Sequence, residues 1–229
     1  MAPVNPIQVI YAGNPTSGLP LQIKFQPNAE GTALLFVSAS GWTQTAHAQL
    51  ELRAYFDNIY VGSVMITVDK PGCHRAFVPV MVPIIIPSDG QPHLVSITGN
   101  NNTIVDKNDY VTVAIIDTPE SMPGFVYTTN EPLPQYTTYP SVLTGQQVAF
   151  FAGSGFVTNV QQLVTGSVLV LDHNPVSTSQ MNFDPNQHLA LPAKFVPVKM
   201  TQGNHQIGFS MVGPEFQTNG SDFWAMAVF

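Results

Sequence analysis

Histidine and carboxylate are the side chains of this chain best suited to proton or metal chemistry, and both recur at matched places. The six histidines are His47, His74, His93, His173, His188 and His205. His93 and His205 each stand two residues before an apolar position, Val95 and Ile207. No H-x-H, H-x-x-x-H or H-E-x-x-H spacing occurs, so a zinc site is not expected. A histidine at a strand entrance reads instead as a hydrogen-bonding structural residue. Asp106-Lys107-Asn108-Asp109 offers oxygens of the kind calcium takes, but no twelve-residue loop ending in Glu follows. Its later counterpart, Asn219-Gly220-Ser221-Asp222, keeps only Asp222 as an acid. Asp109 and Asp222 are therefore expected to fix the turn before a strand, and no metal is assigned.

Binding chemistry has better candidates. Sugar sites on β-sandwiches set an aromatic ring against the sugar face and Asp or Asn side chains against its hydroxyls. Asp57-Asn58-Ile59-Tyr60 and Asp172-His173-Asn174 are turn-borne and equivalent, as are Trp42 and Phe156. The candidate ligand-binding residues are thus Asp57, Asn58, Tyr60, Asp172, His173 and Asn174. The plainer reading, a hairpin turn plus a core aromatic, stays open beside it. No catalytic residue is assigned. Ala152-Gly153-Ser154-Gly155 has the wrong register for G-x-S-x-G, and there is no P-loop or G-x-G-x-x-G. The chain is expected to be no enzyme and to need no cofactor, although its 14 acids leave a polysaccharide-active carboxylate pair open.

These residues must be held by elements, and the elements come twice. Ser40-Gly41-Trp42 follows an apolar run, as Ser154-Gly155-Phe156 does. Phe77-Val78-Pro79-Val80 recurs in letters as Phe195-Val196-Pro197-Val198, and Gly90 to Val95 is echoed by Gly203 to Ile207. Asp109-Tyr110-Val111 and Asp222-Phe223-Trp224 each open an apolar strand, so the landmarks lie about 112–118 positions apart. A period of that length is a whole domain rather than a solenoid repeat. Alternation such as Leu50, Leu52, Ala54 and Phe56 against Gln49, Glu51, Arg53 and Tyr55 predicts half-buried strands. No helical period of ten or more residues is present. Proline cannot donate to a β ladder, so the repeated Pro79 and Pro197 predict an edge strand or bulge in each copy.

The expected fold is all-β: two tandem antiparallel β-sandwich, jelly-roll-like domains from an internal duplication. The boundaries read from the sequence are a proline-rich N-terminal arm over 1–24, domain one over 25–118, an ordered proline-rich linker over 119–142 and domain two over 143–229. The arm has no clear match in the second copy.

Composition narrows the function. Charged residues are only 9% of the chain and the hydrophobic fraction is 44%, against roughly a quarter charged in typical soluble domains. The net charge of -7 and scattered Lys70, Arg75 and Lys107 speak against a nucleic-acid partner. No apolar run reaches membrane-spanning length, so no membrane insertion is expected. The single cysteine, Cys73, permits no internal disulfide and reads as a free thiol, with pairing between chains as the alternative. The segment 1–6 has no basic and apolar character of a signal peptide, though a mature secreted chain looks the same. Low charge, aromatic-rich arms and the apolar ending 223–229 predict a homo-oligomer or a larger shell or tail assembly.

The order of motifs, Gly31 to Trp42, His74 to Val80, Gly90 to Val95 and Asn108 to Val113, resembles small β-sandwich modules of phage tail and other virion-surface proteins. More loosely it is similar to the jelly rolls of tumour-necrosis-factor-like trimers and bacterial lectins. The second copy departs at Trp42 (Phe156) and Arg75 (Leu189, if His74 pairs with His188). The resemblance implies assembly and surface recognition, at a virion or extracellular location, with other structural proteins or a cell-surface glycan as partners. The resulting expectation is a non-enzymatic capsid, decoration or tail component. A carbohydrate-binding lectin is the alternative, and a polysaccharide-active enzyme the second alternative.

Overall fold

The computed structural model describes residues 7–77, 79–117, 125–142, 144–160 and 163–229. The chain divides into two compact units, Met1–Met122 and Pro123–Phe229. Among the described residues there is no helix. Unit one comprises β1 (Ile7–Gly13), β2 (Leu21–Phe25), β3 (Gly31–Gly41), β4 (Ala48–Phe56), β5 (Ile59–Val68), β6 (Arg75–Ala76), β7 (Val80–Ile86), β8 (His93–Gly99) and β9 (Val111–Asp117). Unit two comprises β10 (Phe125–Thr129), β11 (Gln135–Ser141), β12 (Gly145–Val157), β13 (Leu163–Leu171), β14 (Asn174–Phe183), β15 (Leu189–Ala190), β16 (Lys194–Met200), β17 (Gly203–Val212), β18 (Phe216–Gln217) and β19 (Trp224–Val228).

Period-two burial builds each strand. In β4 every second residue, Ala48 through Phe56, is buried while its neighbours are partly or fully exposed. Those inward residues meet Leu35, Val37, Val95, Ile97, Val111 and Val113 in the core of unit one. Unit two fills the same space with larger rings: Phe151, Phe183, Phe209, Phe216 and Trp224. Gly153 and Gly155 make room for them, since a Cβ on Gly153 would stand 2.0 Å from Trp224 and one on Gly155 2.1 Å from Phe216.

The topology confirms two antiparallel sandwiches of jelly-roll order. In unit one β1, β9, β3 and β7 form one sheet, with β6 extending the pairing along β3, and β2, β8, β4 and β5 form the other. With the short β6 set aside, the eight strands run first-eighth-third-sixth and second-seventh-fourth-fifth, the two-sheet order of a jelly roll. Unit two repeats it with β10, β19, β12 and β16 in one sheet and β11, β17, β13 and β14 in the other. Even a β-bulge recurs, with Val61 of β5 as the extra residue opposite Ala54 and Tyr55 and Val176 of β14 opposite Leu169 and Val170.

Three expectations change. The segments read as an arm over 1–24 and a linker over 119–142 are strands of their own units where they are described. β1 pairs with β9 and β2 with β8, just as β10 pairs with β19 and β11 with β17. The arm therefore does have a match in the second copy. Residues 1–6 and 118–124 lie outside the described residues. Proline misled here because it crowds the connections, with Pro15 and Pro20 between β1 and β2 and Pro132 and Pro134 between β10 and β11, while only Pro140 stands inside a strand, the sheet edge β11.

The third change concerns the proline repeat. Leu34 pairs with Pro83 and Val148 with Pro197, both partners 114 positions on. The ladder thus equates Phe195-Val196-Pro197-Val198 with Met81-Val82-Pro83-Ile84, not with the identically lettered stretch at 77–80, of which Val78 lies outside the described residues. The repeated edge proline is Pro83 and Pro197. Cys73 is 5% exposed and belongs to the core of unit one, which leaves no route to a bridge between folded chains.

Candidate functional site

Two Asp–His couples recur in both units, one at either end of the sandwich, and unit one adds an exposed His47–Asp69 contact at 3.5 Å. The first sits on the hairpin turn between β4 and β5. Asp57 and Asn58 both have positive φ, 46° and 65°, and Asp172 and His173 repeat this at 47° and 64°. Two consecutive left-handed residues make the type I′ turn that matches strand twist, which Asp and Asn tolerate. The turn aims the Asp57 carboxylate at the start of β8, where it accepts from Leu94 N at 2.9 Å and from His93 Nδ1 at 2.7 Å. Asp172 does the same with Gln206 N at 2.9 Å and His205 Nδ1 at 2.6 Å. His205 Nε2 also donates to Thr201 O at 2.7 Å. With acceptors at both ring nitrogens, the Asp172 bond first, the imidazolium is favoured and the His205 pKa is raised. The same His205 bond lowers the Asp172 pKa.

The second couple lies at the other end, where β3 leaves and β9 enters. Asp109 Oδ1 accepts from His74 Nδ1 at 2.6 Å and from Ser40 Oγ at 2.7 Å, while Oδ2 accepts from Asp106 N at 2.9 Å. In unit two Asp222 accepts from His188 Nδ1 at 2.8 Å, Ser154 Oγ at 3.0 Å and Asn219 N at 2.9 Å. An aromatic ring lies over each histidine: Trp42 on His74 at 5.7 Å and Phe156 on His188 at 4.6 Å between centroids.

This constellation contains the residue types of two known chemistries and the geometry of neither. Serine, aspartate and histidine meet, but the aspartate stands in the middle. Nucleophile activation needs the histidine between the serine and the acid. Ser40 is also fully buried. His74, Asp106 and Asp109 bring their ligand atoms within 4.8 Å of one another, a spacing a cation accepts. Yet Asp106 Oδ2 already accepts from Trp42 Nε1 at 3.0 Å, and its Oδ1 from Asn108 N at 2.8 Å. Unit two replaces Asp106 by Asn219 and Trp42 by Phe156 while keeping the rest, with Asn219 Oδ1 accepting from Ser221 N at 2.8 Å. An amide does this hydrogen-bonding work as well as a carboxylate but is a poorer cation ligand. The network is a corner brace that holds the loop before the last strand.

No protein-family model matches the chain, and no curated protein matches it. Solved structures are similar only distantly. PNGF-II matches with a TM-score of 0.33 and 9% identity over 90% of this chain, which spans 57% of that protein's length. The tandem CBM22-1-CBM22-2 domains of Xyn10C from Paenibacillus barcinonensis match with a TM-score of 0.27 and 7% identity, covering 100% of this chain and 98% of theirs. The Macrobrachium rosenbergii nodavirus structure matches at 0.20 and 9%, covering 100% and 91%. Likenesses this low carry no argument about what the chain does.

The sequence candidates separate in space and role. Asp57 and Asp172 are held by the histidines, and Asn174 Nδ2 donates to Asp172 O at 2.8 Å within the turn. Tyr60 is exposed, meets Tyr55 edge-on at 5.8 Å, and its hydroxyl hydrogen-bonds with Ser63 Oγ at 3.0 Å. His173 is an exposed turn residue. Asn58 borders a shallow groove with Pro20, Gln22, Tyr55, Ser96 and Thr98. Gln22, Ser96 and Thr98 were not among the candidates. Their only signal is an outward position on β2 and β8, which appears once those strands are known to be neighbours of β4.

Proposed function

We propose that the chain is a non-enzymatic structural and attachment protein of the virion type, working by assembly with copies of itself and with other structural proteins at a particle or extracellular surface. The observation that supports this is the lateral edge of unit one. β5 and β7 are outer strands of their sheets, pairing only with β4 and β3. Neither carries a charged side chain. From them Ile59 (69% exposed), Met65 (53%), Met81 (53%) and Ile85 (74%) face solvent. An open edge with unpaired backbone groups and apolar side chains is what folded monomers avoid.

The duplication supplies the comparison. By ladder register the equivalents of Ile59, Tyr60, Met65 and Ile85 are Asn174, Pro175, Gln180 and Lys199. Both copies keep the edge proline (Pro83, Pro197) and an apolar residue at Met81 and Phe195, but at the other four positions unit two is polar or proline where unit one is apolar or aromatic. Hiding each such side chain is worth on the order of 1–2 kcal/mol. The test is mass in solution. Light scattering should give a multiple of the 24.8 kDa chain. The double variant Met65→Gln, Ile85→Lys, which borrows the residues of unit two, should move it towards a single chain. A wild-type protein that stays monomeric at high concentration would overturn the reading, and mass spectrometry of candidate particles should find the chain in fixed stoichiometry. The second reading, carbohydrate binding, is supported by the groove beside Tyr55.

A further inference from the structure

We propose that this groove, on the outer face of the sheet formed by β2, β8, β4 and β5, binds a neutral saccharide. The register builds it. Gln22 lies opposite Ser96, and Tyr55 lies opposite Ser96 on the other side, so the three form one row across three strands. Tyr60 extends the row on β5, opposite Tyr55. Thr98 stands one outward position further along β8, and Asn58 closes the turn end. Pro20, Gln22, Tyr55, Asn58, Ser96 and Thr98 border a shallow, open groove of about 320 Å³, at the lower end of the range of small-ligand sites; Tyr60 stands beside it.

The chemistry of the lining selects the ligand. It contains two amides, two hydroxyls, one tyrosine and one proline, and no charged group. Amides and hydroxyls both donate and accept, as sugar hydroxyls do. The tyrosine supplies an apolar surface for the C–H face of a ring. Among the described residues, no hydrogen bond within the chain occupies the side chains of Gln22, Asn58, Ser96 or Thr98. Four unengaged polar groups around one concavity contrast with the Asp–His couples, whose side chains are already committed. Ser96 is 8% exposed, a small floor residue that keeps the centre of the row open. Of the charges near the groove on the same face, Glu51 and Arg53 pair with each other at 2.6 Å, and Lys24 stands exposed two residues along β2 from Gln22.

Unit two shows the same place closed. The equivalents of Gln22, Ser96 and Tyr55 are Tyr136, Gly208 and Val170, joined by the same register. A Cβ on Gly208 would stand 2.7 Å from Tyr136 Cδ1, so the Tyr136 ring lies across the glycine. The chain's own aromatic ring covers the strand that floors the groove in unit one. The two copies have diverged to one open and one self-filled position.

The experiment uses the full chain. Xylohexaose, cellohexaose and chitohexaose serve as neutral probes, with oligogalacturonate and a heparin oligosaccharide as charged ones. Calorimetry measures affinity, and amide chemical shifts locate binding. At least one neutral probe should bind with millimolar affinity or better and shift the amides of Asn58, Ser96 and Thr98. The double variant Gln22→Tyr, Ser96→Gly, which copies the closed arrangement of unit two, should weaken that binding about tenfold or more, a loss of about 1.4 kcal/mol. Circular dichroism and solution mass should stay unchanged, which separates the groove from the assembly edge. Tyr55→Val provides a second variant if the double one fails to fold. The proposal falls if no neutral probe binds, if binding survives in the folded variants, or if the charged probes bind better than the neutral ones.

Discussion

Lys194 is the residue whose chemistry departs furthest from its surroundings. It is fully buried, and its Nζ donates to the backbone carbonyl of Thr178. Burial lowers its pKa from 10.5 to about 7. The ladder equates it with Val80, a core residue of unit one. Because the unfolded chain holds a proton that the folded chain releases, stability should rise between about pH 7 and pH 10.5 and show no slope from Lys194 below pH 7, where the cost of the buried charge is present in full. The full span is worth roughly 5 kcal/mol at the limit. Lys194→Val should remove the slope, and urea midpoints of unit two across that range would show whether it does. Asp109 makes a different prediction. Asp109→Asn leaves one of the donors Ser40, His74 and Asp106 N facing an amide N–H, and should cost roughly 2–4 kcal/mol in denaturant unfolding. Asp222→Asn should cost somewhat less, because its histidine is 39% exposed against 5% for His74. That these acids brace turns was legible from their recurrence before the last strand. That His93 meets Asp57 across 36 residues was not, since only the jelly-roll order brings β8 beside that turn.

Among elements, strand identity was the easiest thing to read and register the hardest. Alternation in β4 and the apolar runs of β3 and β12 mark strands directly, because inward and outward faces differ in water contact. Register came out wrong at β7 because four identical letters outweighed a ladder offset that no local pattern reveals. A shift of an even number of residues keeps the same face inward, so hydrophobic patterning does not punish it. β2 and β11 were hidden for a different reason: prolines crowd the connections that lead into them, and β11, an edge strand, also accepts Pro140. β12 carries a prediction of its own. Gly153 has the Trp224 ring where a side chain would be, so Gly153→Ala must displace the largest ring of the core. Overpacking of this kind costs roughly 1–3 kcal/mol, read as a lower melting temperature with loss of near-ultraviolet signal from Trp224. The equivalent residue, Ala39, already carries the methyl group because unit one keeps smaller side chains at its core.

For the whole molecule, the duplication works as an internal control. What both copies keep, the Asp–His braces, the I′ turn and the bulge, belongs to the fold. What only one keeps, the greasy edge and the open groove of unit one, is where function is to be sought. A further consequence comes from how each unit closes. β1 and β9 are adjacent and antiparallel, with Ile7 opposite Ile116, and β10 and β19 repeat this with Phe125 opposite Val228. Tension applied through the backbone therefore enters and leaves each unit at the same rung. Ladder bonds loaded this way break one after another, as in a zip, whereas strands pulled lengthwise past each other must break all at once. Stretched in an optical trap, each unit should peel open at low force and lengthen in steps. Pulled instead through cysteines placed at opposite ends of β4 and β8, the same sandwich should resist far more. A tether built from such units would yield under load and pay out chain instead of holding rigidly until it snaps.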